Sequence, residues 1–258
     1  MKPKVGELAE RLTAILSAWK GVESICLNEA AAADTLDPYF ALILDVYCTA
    51  PIPEAQERIS LYPAHTLFET SPRETKDRFL VGELPVRIEY KNCERINQQI
   101  ETAQTAGSDL WKIRDSGTYV FYRLTHCKPL FNRSSWHSGA VERLETLPDS
   151  FWLAMRAFYR SSMEHFLSDL GASLMQEDTF HYLVSSAGFI KSACSALFME
   201  NGCFEPSHRA YYHQTMELKT VPDDFAGRFE SFLRPDSELP PARKYEIAKL
   251  IARSIALL

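Results

Sequence analysis

The nine residues FALILDVYC, at positions 40–48, decide the fold predicted for this chain. Alternate side chains of a β-strand point to opposite faces. One face is wholly apolar and holds Phe40, Leu42, Leu44, Val46 and Cys48. The other face holds Ala41, Ile43, Asp45 and Tyr47. We therefore expect a strand whose apolar face lies in the core and whose Asp45 points away from it.

A β-hairpin is predicted further along the chain. Residues 78–81 and 84–91 have strand-like composition, and only Gly82 and Glu83 separate them. A glycine at the first central position suits a type II′ turn. A two-residue turn places Val81 opposite Leu84, which fixes the pairing of every other residue in the hairpin.

That register places charged residues opposite one another. Arg78 faces Arg87, and Lys76 faces Glu89. Like charges directly opposite are unfavourable. The two arginines therefore indicate a place for an anion such as a phosphate, with the alternative that both side chains simply extend into water.

Asp45 and Glu89 are the candidate catalytic residues. Each lies on the non-core face of its predicted strand, so neighbouring strands would bring both acids to one open surface. Paired carboxylates there would hold Mg²⁺, which prefers oxygen ligands and would polarise a phosphoryl group. The alternative is that both acids are solvated or paired with nearby basic residues.

The second half of the chain is predicted to be helical. Apolar residues recur at helical spacing over 149–170, 179–200 and 244–258, and an amphipathic helix opens the chain over 5–19. We therefore predict an α+β fold: a small mixed sheet with helices on one face in residues 1–100, then an α-helical bundle in residues 101–258.

Two basic residues of the helical half are candidate phosphate ligands. Lys191 is the only charged residue between His181 and Met199. Because a buried lysine is costly unless it is paired, Lys191 suits either a phosphate in a cleft or an ion pair with an acid on a neighbouring helix. Arg209 follows the end of this helix and would reach the same cleft.

Composition argues against two classes of protein, those that bind nucleic acid directly and those that span a membrane. The 258 residues carry a net charge of −6, which argues against direct binding to nucleic acid, and no apolar run reaches the length of a membrane span. The N-terminus lacks the pattern of a signal peptide, and none of the six cysteines forms a C-x-x-C pair. We therefore expect a reduced, cytoplasmic protein.

Together these segments resemble the polymerase-β-like nucleotidyltransferase superfamily. The resemblance is carried by residues 36–40 (LDPYF), 44–47 (LDVY), 76–80 (KDRFL) and 84–91 (LPVRIEYK), with 169–172 (DLGA) and 204–209 (FEPSHR) in the helical half. It is nearest to small bacterial proteins that join a minimal nucleotidyltransferase domain to a helical domain, as in kanamycin-type nucleotidyltransferases.

The resemblance implies a two-metal site. In that family a D-x-D pair on one strand and an acid on a neighbouring strand hold Mg²⁺, so Asp45 and Glu89 would be ligands, with Asp37 as a substitute from the loop. The first position of the D-x-D pair falls on Ile43. The family's Gly-Ser turn before that strand is replaced by Asn28-Glu29-Ala30-Ala31.

Three functions follow as hypotheses. The first is transfer of a nucleotidyl group from a nucleoside triphosphate to a hydroxyl of a small molecule or another acceptor, with Arg78, Arg87, Lys191 and Arg209 neutralising phosphates. The second is a nucleotide- or metabolite-binding module that keeps the fold without catalysis, favoured by Ile43 and the altered turn. The third is an interaction protein that uses its small-residue helix for packing.

Overall fold

A computed structural model describes residues 3–28, 42–235 and 239–258 of the chain. The first part contains α1 (Pro3–Ser17), β1 (Val22–Leu27), β2 (Leu42–Cys48), α2 (Ala55–Leu61), β3 (Thr66–Thr70), β4 (Lys76–Val81) and β5 (Leu84–Asn92). The rest contains α3 (Cys93–Thr105), α4 (Trp111–Ser116), α5 (Tyr119–His126), β6 (Lys128–Asn132), α6 (Trp136–Glu145), α7 (Asp149–Met175), α8 (Thr179–Glu200), α9 (Tyr211–Met216), α10 (Phe225–Leu233) and α11 (Pro241–Ala256).

The six strands form one mixed sheet in the order β3-β4-β5-β2-β1-β6. β2 and β5 run parallel in the middle of the sheet, and the other neighbouring strands are antiparallel. In the parallel pair Asp45 stands opposite Glu89. The α+β fold class predicted from the sequence is confirmed.

The core of the sheet lies under helix α1. Leu8, Leu12 and Leu16 of α1 are buried, and they belong to one cluster with Leu42, Leu44 and Val46 of β2. These strand residues are the apolar face predicted from the alternation. Phe40 and Ala41, at the start of the predicted strand, lie outside the described residues.

The opposite face of β2 is also covered. Ile43 is 3% exposed, and Asp45 and Tyr47 are completely buried. Helix α6 contributes to this cover, since the ring of Trp136 lies 5.2 Å from the ring of Tyr47. The expectation that Asp45 points onto an uncovered side of the sheet is therefore wrong. The residue does point away from the α1 core, but it points into a second buried layer.

The hairpin has the predicted register. Val81 pairs with Leu84, Arg78 with Arg87 and Lys76 with Glu89. Gly82 has φ +60° and begins the two-residue turn. Glycine adopts this left-handed conformation without a steric penalty. The position of Gly82 therefore predicts the turn, and the turn fixes the register of the hairpin.

Strand β6 lies in a region that the sequence marks as helical. Its five residues, KPLFN, pair with β1 at the edge of the sheet. Proline has no N–H to donate to a neighbouring strand. It is tolerated in a short edge strand, because no strand lies on the outer side to receive that hydrogen bond. No periodic signal distinguishes such a strand from a loop.

The long helices agree with their predicted ranges. α8 spans Thr179–Glu200 as expected, and α7 continues to Met175, five residues past its predicted end. Among the described helices, α8 alone is long and apolar enough to cross a membrane by length and composition, and 56% of its apolar window is buried inside the chain.

The chain divides into two compact units. The first contains residues 1–104 and 120–146, and the second contains residues 105–119 and 147–258. The sequence places the end of the first domain near residue 100. Residues 120–146 join the first unit because they supply β6 and the helices α5 and α6 that flank it.

Candidate functional site

Asp45 and Glu89 lie side by side at the centre of the sheet. They are partners in the parallel register of β2 and β5, so both side chains leave the same face. Asp45 is completely buried, and the Glu89 side chain is 13% exposed. The sequence therefore predicts the proximity of the two acids correctly, although not their surroundings.

Arg123 of helix α5 joins the two carboxylates. Its Nε donates to Asp45 Oδ2 at 2.8 Å, and its Nη2 donates to Asp45 Oδ1. Its Nη1 donates to Glu89 Oε2 at 2.8 Å. The Arg123 side chain is only 4% exposed. A guanidinium is planar and presents its donors in a fixed fork, so this arrangement sets the separation of the two acids.

Two further side chains complete the surroundings of Asp45. Lys91 donates to Oδ2 at 2.9 Å, and Asn28 donates to the same oxygen at 3.4 Å. Lys91 follows Glu89 by two residues on β5, so it shares the face of the two acids. Its ammonium also lies 5.7 Å from the centre of the Tyr47 ring. Burial lowers the pKa of Lys91, while Asp45 opposes that shift.

Glu89 has its own cationic partners. Arg87 Nη2 lies 3.0 Å from Glu89 Oε1, and Lys76 Nζ lies 3.4 Å from the same oxygen. Burial alone would raise the pKa of Glu89, but the charges of Arg123, Lys91, Arg87 and Lys76 lower it to about 2. Glu89 is therefore ionised throughout the physiological range.

The site carries an excess of positive charge. Two carboxylates meet four basic side chains, Lys76, Arg87, Lys91 and Arg123. We call these six residues the carboxylate–cation cluster. Since the field of the basic groups is neutralised only in part, the cluster favours an anionic ligand.

A Mg²⁺ ion does not fit between Asp45 and Glu89 in this arrangement. Each of their four oxygens already faces at least one nitrogen of a cationic side chain. Ile43, at the first position of the D-x-D pair, has no side-chain oxygen that could bind a metal ion. Asp37, the third predicted ligand, lies outside the described residues. The Mg²⁺ site stays a prediction.

The predicted arginine pair has mixed surroundings. Arg78 is exposed and also stands opposite Glu69 on β3. Arg87, its partner across the hairpin, contacts Glu89 instead of extending into water. The two arginines pair across the hairpin as predicted. Arg87, however, already has an anionic partner in the carboxylate of Glu89.

Lys191 and Arg209 belong to the second unit, and both are exposed. Lys191 lines a cavity of about 460 Å³ whose walls come mainly from α8, α9 and α10. Most of the wall is apolar, including Ile190, Phe229 and Leu233. No described acid forms an ion pair with Lys191. A role for either residue in phosphate binding stays a prediction.

A second buried carboxylate lies in that unit. Glu205 accepts hydrogen bonds from the Thr118 backbone N–H, the Thr118 hydroxyl and the hydroxyls of Tyr159, Ser195 and Tyr211. Burial raises its pKa, but the hydrogen bonds from Ser195, Tyr211 and Tyr159 more than compensate and leave it lowered. With its donors all supplied by the protein, Glu205 ties residues 118, 159, 195 and 211 together.

Sequence reasoning missed Arg123 and Lys91. Arg123 is the one charged residue in the segment YVFYRL, and a lone charge among large apolar residues indicates a buried pair. Lys91 lies two residues after Glu89 and four after Arg87, so all three side chains are expected on the same face of the strand. Both signals are present in the sequence, but neither identifies the partner.

The fold is nucleotidyltransferase-like. The crystal structure of a nucleotidyltransferase-like protein from Exiguobacterium sibiricum 255-15 matches 97% of this chain and 74% of its own, with a TM-score of 0.50 and 10% sequence identity. At that identity the similarity concerns the fold alone, and it does not extend to the kanamycin-type branch. No family model matches the chain, and no curated protein matches it.

Proposed function

We propose that the first unit binds a nucleoside triphosphate through the carboxylate–cation cluster, as a nucleotide-binding module of nucleotidyltransferase-like fold. The observation that carries this proposal is the bridge of Arg123 between Asp45 and Glu89. The guanidinium pairs with both acids, and together with Lys76, Arg87 and Lys91 it outweighs their two negative charges with cations that belong to the chain. Binding of the phosphates then needs no metal ion to cancel the carboxylates.

The exposure of the basic residues supports this role. Lys76, Arg87 and Lys91 keep 34%, 17% and 15% of their side-chain surface exposed. A triphosphate reaching them gains charge-assisted hydrogen bonds, which are roughly twice as strong as neutral ones. The deeply buried Arg123 serves as the fixed support on which Asp45 and Glu89 are held.

Nucleotidyl transfer to a hydroxyl of a small-molecule acceptor is the second candidate. The pairing of Asp45 with Glu89 across parallel strands favours it, since two carboxylates on one face of a nucleotidyltransferase-like sheet are the arrangement this chemistry uses. It requires oxygens of these acids to be released from their basic partners. The magnesium ion and the acceptor are expectations of this second candidate, and the cytoplasmic location stays a separate expectation from the cysteine pattern.

Calorimetric titration of the full chain with ATP and GTP distinguishes the two candidates. The binding module predicts binding that persists in EDTA and weakens several-fold in Lys76→Gln and Arg87→Gln. Arg95→Gln is the matched control, because Arg95 is exposed on α3 and is not one of the cluster residues. Release of pyrophosphate together with a nucleotidylated product, with Mg²⁺ or Mn²⁺ and a hydroxyl compound present, would establish transfer instead. Absence of binding at millimolar nucleotide would contradict both.

A further inference from the structure

Three potential metal ligands meet in the first unit, on residues that the proposed function does not use. Cys26, Cys127 and His137 bring their two sulfur atoms and one ring nitrogen within 4.8 Å of one another. Cys127 Sγ lies 3.5 Å from His137 Nε2. Cys26 is completely buried and His137 is 7% exposed. We call these residues the thiol–imidazole cluster.

The topology explains why they converge. Cys26 lies on β1, whose two neighbours are β2 and β6, and it pairs with Pro129 of β6. Cys127 immediately precedes β6, so it reaches the same end of the edge strand. His137 is in the first turn of α6, and its ring lies 6.5 Å from that of Tyr47 on the covered face of the sheet. Three separate segments thus contribute one ligand each.

The geometry points to a Zn²⁺ site formed by Cys26, Cys127 and His137, with the fourth position taken by a water. Zn²⁺ binds thiolate sulfur at about 2.3 Å and imidazole nitrogen at about 2.0–2.1 Å. In a tetrahedral site such bonds place sulfur and nitrogen roughly 3.6 Å apart, close to the 3.5 Å that separates Cys127 Sγ from His137 Nε2. Two thiolates and an imidazole select a thiophilic cation over Mg²⁺.

A neighbouring side chain supports the water. The hydroxyl of Tyr47 is buried and has no hydrogen-bond partner among the described residues. A buried hydroxyl left unpaired costs free energy. An ion-bound water near the rings of Tyr47 and His137 would give this hydroxyl the hydrogen-bond partner that it lacks among the described residues. None of its three ligands is a member of the carboxylate–cation cluster, although Cys26 stands opposite Asp45 in the pairing of β1 with β2.

Competition with a chromophoric chelator tests the site. The full chain, reduced and freed of metal, is expected to take up one Zn²⁺ per molecule. Co²⁺ in its place is expected to show the visible bands of a tetrahedral ion and a thiolate-to-metal charge-transfer band. Losing even a side chain that only orients a ligand costs about 10–100-fold in metal affinity, so removing a ligand itself should weaken binding by at least about 100-fold. Cys26→Ser, Cys127→Ser and His137→Gln are therefore each expected to lose the Co²⁺ spectrum.

Cys203→Ser is the matched control, because Cys203 is an exposed thiol outside the cluster. It is expected to keep full Zn²⁺ binding. Circular dichroism of each metal-free variant tests whether it has folded. A folded variant that binds no metal has lost a ligand and not its structure. The proposal is overturned if the folded parent chain binds no stoichiometric Zn²⁺, or if Cys203→Ser weakens binding as much as the cluster variants do. A Cys26–Cys127 disulfide that persists under reducing conditions would overturn it as well.

Discussion

Arg123 and Asp45 form a two-point ion pair in a completely buried part of the sheet. Nε and Nη2 of the arginine meet the two oxygens of the carboxylate, and Nη1 continues to Glu89. The chain thus places one of its own cations at the point where the sequence predicts a metal ion. The consequences can be tested separately for stability, for pH dependence and for ligand binding.

Removal of Arg123 is expected to destabilise the first unit strongly. Arg123→Met leaves Asp45 buried without its main partner, and breaking one side of a buried ion pair typically costs about 3–5 kcal/mol. Urea denaturation of the full chain measures the loss. Arg95→Met, at an exposed site on α3, should change the free energy of unfolding by less than about 0.5 kcal/mol. Equal effects of the two variants would show that the bridge does not stabilise the fold.

Glu89 gives stability a defined pH dependence. Its folded pKa of about 2 lies below its ordinary value of 4.5, so its contribution is complete above about pH 5 and is lost as the pH falls towards 2. At roughly 1.36 kcal/mol per pKa unit, this amounts to about 3 kcal/mol. We expect the stability difference between the parent chain and Glu89→Gln to shrink steadily when unfolding is measured at decreasing pH. A difference that stays constant from pH 6 to pH 3 would contradict this.

Glu205 is expected to be essential for the second unit. Glu205→Gln keeps the shape of the side chain but removes its charge and replaces one of its two acceptor oxygens by an NH2 group that faces donors, so we expect a loss of about 2–4 kcal/mol. Thermal unfolding followed by circular dichroism measures it. Glu217→Gln is the control, because Glu217 is exposed just after α9. A melting temperature unchanged by Glu205→Gln would refute the role of this carboxylate.

The contact between α7 and α8 depends on a small residue. A Cβ added at Gly188 of α8 would collide with the ring of Phe166 on α7, whereas a Cβ at Gly227 of α10 meets nothing within 4 Å. Gly188→Ala is therefore expected to cost about 1–3 kcal/mol. Gly227→Ala should instead stabilise the chain by up to about 1 kcal/mol, since alanine favours a helix over glycine. Stabilisation by both substitutions would show that α7 and α8 are not closely packed there.

Local signals account for the parts of the site that could be predicted. The turn at Gly82 fixes the hairpin register, and strand parity places Asp45 and Glu89 on one face. Arg123 is 78 residues beyond Asp45 in the chain, so only the docking of α5 onto the sheet brings it there. The burial of Asp45 likewise depends on contacts between residues that are far apart in the chain, because Trp136 of α6 covers part of that face of the sheet. Neither docking leaves a periodic pattern in the strands themselves.

The most direct test of the account is a crystal structure of the full chain with a nonhydrolysable nucleoside triphosphate and Mn²⁺. Anomalous scattering locates the metal independently of the protein. We predict phosphate density at Lys76, Arg87 and Lys91, with Arg123 still bridging Asp45 and Glu89 and no manganese peak between the two acids. A manganese ion bound to both carboxylates, with Arg123 displaced, would contradict the central claim and establish a metal-dependent site.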